Sequence, residues 1–409
     1  MKISSKILIF MILGFVLGII VPYIPILYKI CQTIEQIFIR ILTFIVKPYI
    51  FFSIIIAFAS LKDAGKTGKI FPLFFLFTFL SGLIATIQAI IISVLVKPGF
   101  QIDLFDAKTP ALIEFNSIFD TLISYVPKSF SDLFSANIYQ IAPVFLIAMF
   151  VGIAIYYAVK RGETFLNLSK SIEEILDYIN LYLIEIFSFS TFFIGYGLAN
   201  TIKQTTNFIF IIKPLIVMLF SLLFQVYLIP FLLIYFWLKK NPANYFKSVL
   251  GAQFSGFATG SVVSNYQNIL LHTEKNLGIN RTISSVYTSL GLIFNIDGIA
   301  ITSIIGFFYI LQIQQVSLSF FEILPLFLGM ILLFFVKDGF PYPELPAIVL
   351  FLSISETLPL DMRALFATGL FIFARISSFI TSSSIIFINY LISEKYLHAA
   401  FIQDYKDQI

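Results

Sequence analysis

Apolar runs of twenty or more residues recur along this chain, and they limit its possible folds more than any other feature. As a helix, a run of ~20 predominantly apolar residues is long enough to cross the hydrocarbon core of a bilayer. The runs cover about 7–28, 37–61, 72–96, 138–159, 208–237, 286–312 and 362–392. With 59% of 409 residues hydrophobic, 12% charged and a mean hydropathy of +0.97, no water-soluble globule could bury them. The sequence therefore predicts an all-α polytopic membrane protein. The net charge of +4 points to no nucleic-acid partner, and the single cysteine, Cys31, excludes an intrachain disulfide and any cysteine metal cluster. Lys2 and Lys6 before an apolar stretch resemble a signal peptide, but 14–28 stays apolar past any small-residue cleavage site, so a retained first helix is expected.

Charge placement orients the helices. Lys2 with Lys6, the basic loop 62–69, Lys160 with Arg161, and Lys239 with Lys240 alternate with ends poorer in basic residues. An inside N-terminus with every helix reversing direction satisfies all four clusters. This predicts a multi-pass protein of the inner (plasma) membrane with both termini cytoplasmic.

Several runs are interrupted in ways a plain spanning helix is not. Leu290–Ala300 reads Leu-Gly-Leu-Ile-Phe-Asn-Ile-Asp-Gly-Ile-Ala, which puts an amide, a carboxylate and a glycine inside an apolar helix. An ionised Asp at mid-membrane costs about 2.5–3.5 kcal/mol on insertion scales and needs compensation. Asn295 and Asp297 point to nearly opposite faces of an unbroken helix, so they serve one site only if the helix opens there. Opening frees carbonyls that, with Asp297, form an oxygen cage for a small cation; a kinked helix with a neutralised Asp is the plainer outcome. The stretch 245–271 has apolar ends and a soft polar middle, which fits two half-helices meeting at a Ser/Gly tip or a small-residue packing face. In 320–354, Pro341, Pro343 and Pro346 forbid a continuous helix, giving a second broken segment or an ordinary loop. The last run carries Arg375, too deep to snorkel easily, beside Ser377, Ser378, Thr381, Ser382, Ser383 and Ser384. Its guanidinium seeks an anion: a substrate carboxylate or Asp297.

These residues also carry a family resemblance. Glu274-Lys275-Asn276-Leu277-Gly278-Ile279, then Leu290-Gly291 and Asn295-Ile296-Asp297-Gly298, resemble the seventh-helix signature of the dicarboxylate/amino acid:cation symporters, the bacterial glutamate transporter homologues. Leu13-Gly14, Leu17-Gly18-Ile19-Ile20, Ala59-Ser60-Leu61-Lys62-Asp63 and Lys97-Pro98-Gly99 agree in the same order. The resemblance implies eight transmembrane helices plus two re-entrant helical hairpins, in an elevator fold with inverted repeats and a homotrimeric assembly. On that plan 1–70 holds scaffold helices one and two, 71–100 transport-domain helix three, and 101–240 scaffold helices four and five with transport-domain helix six (about 208–237). The transport core is 241–395: hairpin one about 245–271, helix seven 282–312, hairpin two 320–357, helix eight 361–393; 396–409 is a cytoplasmic tail.

The resemblance assigns Na⁺ to Asn295 and Asp297, with Ser81 at a family hydroxyl position and Thr78 where the family often has Tyr. It places Thr259, Ser261 and Ser264 at the first hairpin tip and Gly339, Pro341 and Pro343 at the second, the gate. Counting through the last helix puts Ala374, Ser377-Ser378, Thr381 and Ile385 where the family carries Asp, Arg-Thr, Asn and Asp, so its substrate and second sodium carboxylates are missing. The expectation is a Na⁺- or H⁺-coupled symporter for a small anionic or zwitterionic solute, bound through Thr259, Ser261, Ser264, Arg375, Ser377, Ser378 and Thr381. It is not an enzyme and has no cofactor beyond the coupling ion. An uncoupled anion channel or a structural membrane protein of the same fold is the alternative.

Overall fold

The structure, a computed structural model, describes residues 3–59, 67–99, 123–135, 137, 139–158, 161–204, 208–313, 320–338 and 363–397. Among these every regular element is helical. They are α1 (Ile3–Ile20), α2 (Pro25–Ala59), α3 (Thr67–Val96), the short α4 (Phe130–Ser135), α5 (Ala142–Ala158) and α6 (Glu163–Gln204). The next helix, α7, begins as Phe208–Leu222 and runs on through π-helical turns at Leu223–Leu228 and Leu233–Trp237. Then follow α8 (Pro242–Thr259), α9 (Tyr266–Leu271), α10 (Arg281–Phe294), α11 (Asp297–Ile313), α12 (Phe320–Val336) and α13 (Arg363–Ile392).

Six described stretches are long and apolar enough to cross a membrane: Pro25–Ala59, Pro72–Val96, Glu163–Asn200, Ile212–Trp237, Arg281–Gln312 and Ile372–Lys395. Three shorter apolar helices accompany them. The chain is thus an all-helical, multi-pass membrane protein. More than half of the α3 and α7 spans faces outward, with Leu95, Ile91, Phe220 and Phe236 among the exposed apolar side chains. Apolar exposure on this scale suits lipid rather than water. The spans containing α10–α11 and α13, by contrast, are buried almost throughout and form the axis of the fold.

Two boundaries differ from the sequence expectation. The first helix stops at Ile20 rather than near 28, and Pro25 opens α2 instead of loosening the end of α1. Proline fits the first helical turn, where its missing N–H has no partner to lose and its fixed φ suits the helix. The helix α6 is continuous over 42 residues. It packs along α1, where Lys6 pairs with Glu185 at 2.6 Å and Thr191 donates to the Ile7 carbonyl at 3.1 Å. Gly195 permits this, since a Cβ there would lie 2.1 Å from the Met11 carbonyl oxygen.

The stretch 242–276 consists of two helical arms joined by a turn. Asn241 caps α8 by accepting from Ala243 N at 2.9 Å, and the helix ends at Gly260 with φ of 63°. After the turn, α9 begins at Tyr266 and runs into a π-helical turn at His272–Asn276. Of the second interrupted segment, α12 and the two residues after it are described. The gate residues Gly339, Pro341 and Pro343, and the arm beyond them, lie outside the described residues.

One ion cluster ties the start of α10 to α2 and α6. The Arg281 guanidinium bonds Glu173 at 3.2 Å, Asp177 at 2.7 and 2.8 Å and the Tyr49 hydroxyl at 2.6 Å, and stands 4.0 Å from Glu274. Glu274, in the turn before α10, also accepts from Ser284 at 2.9 Å. Burial pushes its carboxyl up to about 7, against the opposing pull of Arg281 and Ser284. A carboxyl raised in the folded state contributes stability that is complete below its ordinary value near 4.5 and lost as pH rises through about 7. Thermal melts in detergent should therefore show stability falling over that window. Glu274→Gln, which cannot ionise, should flatten the fall.

Candidate cation site

The predicted opening of the helix at Leu290–Ala300 is present. α10 ends at Phe294, Asn295 and Ile296 are non-helical, and α11 begins at Asp297. Asn295 takes extended backbone angles, with φ −75° and ψ 121°, and its side-chain oxygen accepts from Asp297 N at 3.2 Å. The break therefore lets the Asn295 side chain fold over the backbone of Asp297. Gly298 is required by close approach. A Cβ there would lie 2.1 Å from the Ser377 carbonyl oxygen and 2.6 Å from Thr381 Oγ1 on α13. Gly298 N donates to that same Thr381 hydroxyl at 3.2 Å.

Asp297 is fully buried. Its Oδ2 accepts from the Ser81 hydroxyl on α3 and from Gln225 Nε2 on α7 at 3.0 Å. Gln225 also reaches Ser81 Oγ at 3.1 Å, and its own carbonyl accepts from Gln88 Nε2 at 2.9 Å. Two helices, α3 and α7, thus converge on one oxygen of the carboxylate. The other, Oδ1, is buried without a hydrogen-bond partner, with Ser384 of α13 nearby. The Thr78 hydroxyl, one turn before Ser81 on α3, is likewise buried without a partner. Orphaned buried oxygens are costly unless something fills the gap, and a small hard cation takes oxygen ligands of this kind. A cavity of about 230 Å³ between α3, α7 and α13 reaches Ser81, Gln225, Ser383 and Ser384.

The expected substrate residues lie at the tip between α8 and α9 and on α13, where Arg375 reaches the end of α8. Thr259 is turned inward, donating to carbonyls of its own hairpin at Ser255 (3.0 Å), Gly256 (3.2 Å) and Ser261 (3.1 Å). Ser261 is partly exposed, and Ser264 shares a 2.8 Å hydrogen bond with Thr43 of α2. Ser377, Ser378 and Thr381 are buried on α13, and the Ser378 hydroxyl has no partner. Arg375 has a partner that the sequence did not suggest. Its guanidinium bonds the Phe257 and Ala258 carbonyls at the end of α8 and pairs with Glu35 of α2 at 2.5 Å, with both side chains largely buried.

Sequence reasoning did not single out Gln225, Glu35 or Lys337. Lys337, just past α12, donates its ammonium to the Asn295 carbonyl at the break. Each is a polar or charged residue within or at the end of an apolar stretch, and that signal alone marks intramembrane function.

The pattern of the sodium:dicarboxylate symporter family matches residues 3–390. A proton/sodium-glutamate symport protein of Bacillus caldotenax is 21% identical over 326 residues, covering 75% of each chain. A C4-dicarboxylate transport protein of Paraburkholderia phymatum is 23% identical over 331 residues, covering 77% of this chain and 74% of that one.

Breaking a buried ion pair from one side strands the other charge, at a cost of about 3–5 kcal/mol. Glu35→Gln should destabilise the purified protein by that order in thermal unfolding. Combining it with Arg375→Gln should cost clearly less than the sum of the single changes, as a double-mutant cycle reads for a direct pair.

Proposed function

This chain belongs to the sodium:dicarboxylate symporter family, and we propose that it is a secondary active transporter that carries a small carboxylate together with Na⁺ across the inner (plasma) membrane. The observation that carries the reading is Asp297: a fully buried carboxylate at a helix break, one oxygen held by Ser81 and Gln225, the other without a partner. Na⁺ binds at Asn295 and Asp297, with Ser81 and Thr78 supplying hydroxyls from α3. The break lets both halves of the helix contribute backbone as well as side-chain oxygen.

The substrate lies against the 259–264 tip and the hydroxyl face of α13. Residues 372–393 contain no Asp or Glu to receive an ammonium, whereas Arg375 offers a guanidinium, so the favoured substrate bears carboxylate and no free amine. Glu35 holds that guanidinium in this structure. A substrate carboxylate takes its place when α2 and α13 separate, as they do if the core slides against the scaffold in an elevator cycle. The second broken segment closes over the ligand as the gate. The working unit is a homotrimer with both termini cytoplasmic.

The test is uptake of radiolabelled succinate and aspartate into proteoliposomes under an imposed Na⁺ or H⁺ gradient. Succinate uptake should follow the Na⁺ gradient, and Asp297→Asn should lower that dependence by about tenfold or more, the equivalent of at least ~1.4 kcal/mol of cation binding. Aspartate taken up as well as succinate would refute the no-amine substrate. Uptake indifferent to both gradients, and unchanged in Asp297→Asn, identifies a passive pore instead.

A further inference from the structure

Lys337 and Asp338 are neighbours in sequence, and the structure turns their charges in opposite directions. Helical hydrogen bonding runs on past α12, with Lys337 N donating to the Leu333 carbonyl at 3.1 Å. The Lys337 ammonium reaches the Asn295 carbonyl, the first residue beyond the end of α10, and the residue is only 7% exposed. Asp338 faces α5. Its carboxylate accepts from Ile141 N at 3.1 Å and Ala142 N at 2.9 Å, at the start of that helix. An anion there is favoured by the unpaired N–H groups of the first turn. Asp338 thus pins the backbone and fixes where the preceding ammonium goes.

The position Lys337 reaches has its own preference for positive charge. The C-terminal end of a half-helix carries unpaired carbonyls and the negative end of the helix dipole, and such ends bind coupling ions in transporters with broken helices. A buried Lys without oxygen partners is expensive in a membrane, so its presence here needs an acceptor of this kind.

We propose that the Lys337 ammonium is a tethered cation, filling at the C-terminal end of α10 the place a free alkali ion would otherwise take. The inference rests on the reading of the helix break as a cation site. It leaves Asp297 and its unpartnered oxygen as the position for an ion exchanged with solution, and it makes one requirement for dissolved cation intramolecular. It also joins the end of α12 to the break.

The test replaces the ammonium and asks for a cation back. Wild type, Lys337→Met, Lys337→Gln and Asp297→Asn are purified as full chains and melted in NaCl, KCl and choline chloride. Both Lys337 variants should melt lower than wild type in choline. They should gain a Na⁺-specific rise larger than that of wild type by about 2–4 °C or more. Lys337 variants whose response to Na⁺ equals that of wild type overturn the proposal, because a plain structural brace would be lost without creating a cation site. Failure of both variants to fold in every salt overturns it for the same reason. A wild-type Na⁺ response that Asp297→Asn abolishes and the Lys337 variants leave unchanged defeats the tethered cation alone. Failure of the symport reading shows separately, as wild-type uptake that ignores imposed gradients.

Discussion

The structure depends on how it compensates one buried carboxylate. Asp297 sits where α10 and α11 part, fully buried between helices that reach it from three directions. Ser81 and Gln225 hold one oxygen, Gln88 holds Gln225, and Gly298 lets α13 approach close enough for Thr381 to meet the backbone. Each contact requires a particular helix at a particular depth. The polar interior therefore specifies the arrangement of α3, α7, α11 and α13 in surroundings whose apolar side chains could pack in many ways. The half-satisfied carboxylate that remains is the opening for a cation, since buried polar groups without partners are rare unless a ligand or ion completes them.

The other buried charges follow the same logic across longer distances. Arg281 gathers Glu173, Asp177 and Tyr49 from α2 and α6, Arg375 takes Glu35 from α2, and Asp338 takes the start of α5. These links join elements the family resemblance assigns to the transport core with elements it assigns to the scaffold. In the proposed elevator cycle the core exchanges each of them for another partner. Glu35 is the clearest case, because a substrate carboxylate offers Arg375 the same chemistry. Charge pairs of this kind add little net stability over apolar packing, but they make particular alignments distinct, and a carrier that alternates between alignments needs that property.

Much of this was legible in the sequence because lipid makes polar residues conspicuous. Asn295, Asp297 and Gly298 inside an apolar run suggested a broken helix, and the break is present; the small polar middle of 245–271 allowed two arms and a tip or a packing face, and the chain there forms two helices joined by a turn. The start of α2 at Pro25 was not legible because proline both ends helices and begins them, and only the neighbouring backbone distinguishes the two. The partners of the buried charges were not legible. Glu35 and Arg375 are separated by 340 positions, and Ser81 and Asp297 by 216, so nothing local links them. Ser81 and Thr78 entered through family resemblance and the polar stripe of α3. Gln225 stands alone as an amide in its apolar run, and Lys337 lies just past the end of α12, 42 positions from the carbonyl it reaches.

The central claim is that the helix break holds a single exchangeable cation at Asp297. Equilibrium binding of radioactive sodium to the purified, intact chain, counted per polypeptide and competed with unlabelled Na⁺ and with K⁺, tests it most directly. The account predicts saturable, Na⁺-selective binding of about one ion per chain, the number left when a broken-helix site keeps one carboxylate for a dissolved ion. No saturable binding, or two or more equivalent ions per chain, would contradict it.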